Sequence, residues 1–272
     1  MPAVAYIYVL PAIMRYSHIF IPIILILACN QQSKSKLIVP FSIIKDTFNN
    51  GNPKIKYFYP DSSNRRIYNE IIYYESGNVA KEISRLDTIL DGPYKVYWDQ
   101  PINALYYETS IDQGKKSKFE KSFDSLGKMI RHDSLLSPCQ KEPLTCDAIV
   151  TIFSSNGKLK KKYFQQNSKL NGFYISYYEN GNIERRGNYT NGQENGTFIS
   201  YDENGKYRQT LIALNGKREG KTDIIYADGV HGFGQFHNDK EEGKWIMKDT
   251  TSGKLIDSIF YHNGKSVKFP KE

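Results

Sequence analysis

Apolar and polar positions alternate in short bursts along this chain, and the bursts are evenly spaced. In Phe173-Tyr174-Ile175-Ser176-Tyr177-Tyr178, residues 173, 175 and 177 fall on one side of an extended backbone. That two-residue period, carried by aromatic and β-branched side chains, predicts a strand. Glu179-Asn180-Gly181 follows, and Asn and Gly tolerate the positive φ of a tight turn. Ile183 to Tyr189 reads as the returning strand, and Asn191-Gly192 as a second turn. No window here has a 3.6-residue apolar period, and Gly or Asn interrupts about every ten residues, so helix is excluded.

The phrase repeats. Gly157, Gly181, Gly205, Gly229 and Gly253 lie 24 residues apart, and Gly172, Gly196 and Gly220 keep that interval, with Gly243 one residue early. A fixed period of this size marks a stacked array in which each unit covers its neighbour's apolar face. Carried upstream, the offset of nine residues from unit start to turn glycine places starts near 68, 92, 118, 148, 172, 196, 220 and 244. The expectation is an all-β chain: an elongated, twisted antiparallel meander of about eight β-hairpin repeats. Repeats are regular over 148–265 and degenerate over 68–147, where Pro101 takes the place of one turn glycine. Residues 37–67 hold strand-like runs such as Ile55-Lys56-Tyr57-Phe58-Tyr59 and are expected to form an amino-terminal cap, and 266–272 a tail.

Tyr177-Tyr178-Glu179-Asn180-Gly181-Asn182, continuing to Tyr189-Thr190-Asn191-Gly192-Gln193, resembles the bacterial variant of the MORN repeat. The resemblance is specific over 148–265. In the seventh unit Asn238-Asp239 replaces the closing Asn-Gly, and in the eighth Lys248-Asp249 stands at the place of the aromatic pair, which predicts weaker pairing there. The resemblance implies a meandering sheet used for protein or membrane contact, with no catalytic residues and no cofactor to carry over.

Residues 1–28 contain one charged side chain, Arg15, and Ile19 to Ala28 has the length of a signal peptide's apolar region. That run is too short to span a bilayer comfortably. Ile26-Leu27-Ala28-Cys29 resembles a bacterial lipobox. On that pattern residues 1–28 form a signal helix that is removed, and Cys29 receives a diacylglycerol. Asn30 after the Cys points to the outer membrane by resemblance to enteric sorting rules. Met14-Arg15 supplies the positive charge such a signal wants ahead of its apolar run, so translation is expected to start at Met14. Residues 29–36 read as a polar tether. Cys139 and Cys146 are a pair in a chain expected to meet an oxidising compartment, and are read as a disulfide. They lie where the repeat spacing stretches to 30 residues, in an insertion expected to protrude.

Charge narrows the partner. Without residues 1–28 the chain keeps 36 Lys and Arg against 29 Asp and Glu, a net +7 that suits anionic lipid, acidic glycan or acidic protein. Export argues against nucleic acid. Candidate chemistry is thin. His132-Asp133-Ser134 lists triad residues that sequence neighbours cannot arrange as a triad. Gly232-Phe233-Gly234 lacks the helix and downstream acid of a dinucleotide site, and no His or Cys set has metal-ligand spacing. The chain therefore reads as non-catalytic.

The 21 Tyr and 14 Phe are the better candidates. One column, Tyr73, Tyr97, Phe123, Phe153, Tyr177 and Tyr201, is expected to line the core. Its neighbours Tyr74, Trp98, Tyr178 and Tyr226 are expected on the opposite face as ligand-binding rings. The leading reading is a lipid-anchored module that binds an envelope protein. Binding of polysaccharide or peptidoglycan by an aromatic face is the second reading. Immunity or antitoxin activity is the third.

Overall fold

The computed structural model describes residues 38–100, 102–140 and 145–267. The chain divides into Met1–Leu37 and Ile38–Glu272. The signal helix, Met14, Cys29 and the whole tether lie outside the described residues.

The second unit is all β, an open sheet of 21 antiparallel strands. Long strands pair with the next long strand in chain order, and the two-residue strands Gln193–Glu194 and Lys217–Arg218 each pair with the strand before them, so the sheet is a meander. Its regular part is a series of hairpins. Lys169–Tyr177 pairs with Ile183–Thr190, Gly196–Tyr201 with Arg208–Leu214, and Gly220–Ile225 with Val230–His237. Lys240–Asp249 pairs with Leu255–His262 over six positions, so the eighth unit forms a full hairpin without the aromatic pair at 248–249.

Two turns build each repeat. In the first, the Gly181 amide donates to the Tyr178 carbonyl and the Tyr178 amide to the Asn182 carbonyl, both at 2.9 Å. The same ring closes at Tyr74–Asn78, Asp124–Lys128, Ser154–Lys158 and Tyr226–Val230. At the Pro101 unit the loop is longer: Trp98 bonds Ala104 at 2.8 Å, and Asn103 takes a φ of 50°. The second turn has positive φ at both central residues, 51° and 86° at Asn191-Gly192, as a two-residue hairpin turn requires. Asn238-Asp239 keeps that geometry at 50° and 70° without a glycine, because Asn and Asp tolerate the left-handed region.

The segment expected as a cap contains one more hairpin. Phe41–Thr47 pairs with Pro53–Tyr59, and the Phe48–Asn52 turn closes as the others do, with Gly51 at φ 83°. Asn50-Gly51-Asn52 repeats Asn180-Gly181-Asn182, a sequence signal of the same kind as the rest.

The second glycine ladder marks a bulge. Gly172, Gly196, Gly220 and Gly243 all have positive φ at unit starts, and Lys118 holds the same place at φ 68°. A lysine side chain is strained there, and Lys118 is exposed, so nothing offsets the strain. Lys118→Gly is expected to raise stability by about 1 kcal/mol, read as a higher urea midpoint with unchanged slope. A lower midpoint would contradict the assignment.

The aromatic column expected in the core is only half-buried, a correction to the sequence reading. A β-bulge sits beside every member except Tyr201, as between Ile72 and Tyr73 or Ser176 and Tyr177. Each bulge breaks the two-residue alternation and turns the strand. The core lies on the other face. Phe198, Leu211 and Ala213 form one cluster with Tyr189, and Ile224, Phe236 and Trp245 another with Tyr207, Tyr226 and Tyr261. Two strand glycines make room for it. A Cβ on Gly187 would come within 2.3 Å of the Phe198 ring, and one on Gly234 within 2.1 Å of Trp245. Each ring is seated on bare backbone.

Candidate binding face

Opposed residues on antiparallel strands project to the same side. Ile175, Arg186, Ile199, Thr210, Asp223, Phe233 and Ile246 face one another in succession across seven strands. The row continues the other way through Lys162, Thr151, His132, Lys121, Glu108, Lys95, Glu82 and Ile71. It marks one face, opposite the buried aromatics.

The row's two halves differ in charge. Upstream, Lys95 meets Glu82 at 3.6 Å and Lys121 meets Glu108 at 3.5 Å. Tyr97 lies beside the same carboxylates, and burial together with Glu82 pushes its hydroxyl up to about 12. Downstream the floor is apolar and the rim cationic. A groove is lined by Thr197, Ile212, Lys221, Asp223, Phe233, Lys244 and Ile246. A neighbouring groove shares Thr197 and adds Phe173, Ile175, Arg186 and Ile199. Asp223 is already engaged, by His231 at 2.7 Å and Arg208 at 3.0 Å. Burial works against its charge, yet these two partners prevail and hold the carboxyl below the usual range.

Three of the four rings singled out from sequence are half-buried. The Tyr74 hydroxyl donates to the Tyr97 carbonyl at 2.7 Å, and the Tyr178 hydroxyl to the Tyr201 carbonyl at 2.8 Å. Both tie one unit to the next. Tyr226 packs on the Ile224, Phe236 and Trp245 cluster. Trp98 alone is exposed, standing edge-on to Tyr106 with ring centres 4.7 Å apart.

The groove residues were not foreseen. The available signal was Ile175 and Ile199 at matching repeat positions, with Lys162 and Arg186 at another. Reading it required the register that the bulges set.

The insertion starts against the sheet: Cys139 exchanges two backbone hydrogen bonds with Lys116, both at 2.8 Å, while residues 141–144, between the two cysteines, lie outside the described residues. The Cys139 and Cys146 sulfurs are bonded, Cys146 is fully buried, and Gln165 Nε2 donates to its carbonyl at 3.1 Å. Glu120 and Asp133 oppose each other nearby with no exposure at all. Glu120 accepts from the Tyr107 hydroxyl and meets Lys116 Nζ at 3.1 Å, while Arg131 grips Asp133 with bonds of 2.7 and 2.8 Å. Native protein should show no alkylatable thiol before reduction, and replacing both cysteines with serine should cost about 2–3 kcal/mol, because the closed loop is short. Two reactive thiols in oxidised, folded protein would contradict this pairing.

His237 and His262 serve turns. Glu219 accepts from the Asn238 amide at 2.9 Å and meets His237, and Glu242 does the same for Asn263 at 2.8 Å and His262. These bonds, the backbone amide's foremost, hold both carboxyls below their ordinary range. Among the described residues no cluster of His, Cys, Asp or Glu is arranged to hold a metal ion.

No curated protein gives a significant match. The family description "MORN repeat variant" matches residues 170–191 and 194–212, the two hairpins beside the groove, so the chain carries MORN-type repeats there, a class of module generally used for protein or membrane contact.

Proposed function

We propose that this chain is a non-catalytic, lipid-anchored repeat module of the bacterial envelope that binds another protein. The observation that supports this reading most is the unbroken row of opposed residues from Ile71 to Ile246, which makes one side of the sheet a continuous contact surface. Each hairpin adds the same two strands, so contact area grows with repeat number without any new fold. The anchor rests on Ile26-Leu27-Ala28-Cys29.

Labelling with a clickable fatty acid should mark the wild-type chain and not Cys29→Ser. Proximity crosslinking from the anchored protein should enrich one envelope protein, and the enrichment should fall with Cys29→Ser. A label that persists in the variant sinks the anchor. Crosslinks to glycan alone sink the protein-binding reading.

A further inference from the structure

We infer that the downstream half of the groove-bearing face receives an extended acidic peptide segment with apolar side chains between its carboxylates. The inference rests on the protein-binding reading and names the surface and the partner's chemistry. Its basis is the contrast between the halves of one face. Upstream, from Glu82 to Lys121, glutamates and lysines alternate and pair, so that stretch is neutralised by its own neighbours. Downstream, Arg186, Lys221 and Lys244 have no ion-pair partner among the described residues, and Lys248 stands over the Phe233 ring instead of a carboxylate. The acid in the row, Asp223, is occupied by Arg208 and His231. A partner bringing carboxylates meets attraction here and none from the upstream half.

The floor decides between kinds of anion. Ile212 is 42 % exposed and Phe173 39 %, and with Phe233 and Ile246 they line recessed grooves. A flat bilayer cannot enter a recess, whereas the side chains of an extended peptide can. A glycan would stack on a run of flat aromatic rings, and here Phe173 and Phe233 stand apart, separated by Ile175, Ile199, Ile212 and Ile246. Lys221 and Lys244 lie two strands apart, about 10 Å from strand spacing. On an extended chain, carboxylates four residues apart lie on one side and span about 13 Å, within reach of two long lysine side chains, and the apolar residue midway between them points to the same side and fills the floor. Thr197 and Thr210 add hydroxyls along that path.

The test uses the full chain and a fluorescent peptide of repeated Glu-Thr-Ile-Thr, with a Lys-Thr-Ile-Thr peptide and phosphatidylglycerol vesicles as competing probes. The acidic peptide should bind, weaken as salt rises, and lose affinity by about ten-fold or more when Lys221→Glu and Lys244→Glu are combined. Arg186→Glu should weaken it separately, which keeps the test open if the double variant misfolds. Lys95→Gln, on the paired half, should leave binding unchanged. Equal weakening by Lys95→Gln, binding of the basic peptide, or binding of vesicles in preference to the acidic peptide would each overturn the inference. Failure of every probe overturns it too, while an envelope protein captured by crosslinking would still uphold the broader reading.

Discussion

Trp245→Ala is expected to cost about 3–5 kcal/mol, the usual range for removing a large buried aromatic. Trp245 is 5 % exposed, meets Phe236 edge-on at 5.2 Å and Tyr261 at 6.1 Å, and rests on the bare backbone of Gly234. Truncation empties a cavity that a sheet one layer thick has no second layer to fill. Trp245→Phe should cost far less, because the indole Nε1 finds no hydrogen-bond acceptor among the described residues and so loses nothing. Gly234→Ala should cost about 1–3 kcal/mol from the other side, by forcing the ring off its seat. Urea unfolding measures all three. Hydrogen exchange should place the damage near 220–262 and leave protection over 41–59 intact, since units touch only their neighbours. A Trp245→Ala protein as stable as wild type would remove this cluster from the core.

Asp133→Ala is expected to cost about 3 kcal/mol, because it strips the fully buried, two-pronged partner from the half-buried Arg131. Asp133→Asn should cost less, for a reason visible in the titration. Burial raises the Asp133 carboxyl above the usual carboxylate range even though Arg131 pulls it down. A raised folded-state value means that the fold holds this proton to higher pH than the unfolded chain. Its contribution to stability is therefore fullest below about pH 4, the ordinary aspartate value, and declines as pH rises through the folded one. Asn cannot titrate, so wild type minus Asp133→Asn should show that decline between matched unfolding series at pH 3.5 and 7. A difference that instead grows with pH would reverse the assignment.

The turns were legible in the sequence, because Asn191-Gly192 and Asn180-Gly181 state their backbone geometry directly. Strand order followed from them. The buried face did not follow, since a bulge beside Tyr73, Tyr97, Phe123 and Tyr177 shifts register in a way composition does not announce. Tyr74 and Tyr178 looked like contact rings because a phenol with a backbone partner and a phenol awaiting a ligand read alike in sequence. Gly187 and Gly234 were readable in principle, a glycine inside a strand being a mark of close approach. The ring that approaches each one comes from the following strand, so the pairing had to be known first.

The hydrogen bonds from each two-residue turn to the strand before it bear on how the chain tolerates change in length. Gly192 donates to Leu170 and Gly216 to Glu194, each 22 residues back, so these units end by grasping their predecessor at the same relative point. Asp239 to Arg218 and Gly264 to Glu241 repeat the contact within one residue of that spacing. Any hairpin in the regular part therefore offers the same upper and lower edge to whatever abuts it. Duplicating or excising a segment of 24 residues, such as 172–195, joins compatible edges and preserves every later register. A gain or loss of one residue inside a strand instead sends all of that strand's side chains to the wrong face. Length here is counted in whole hairpins, and so is the extent of the surface the chain presents.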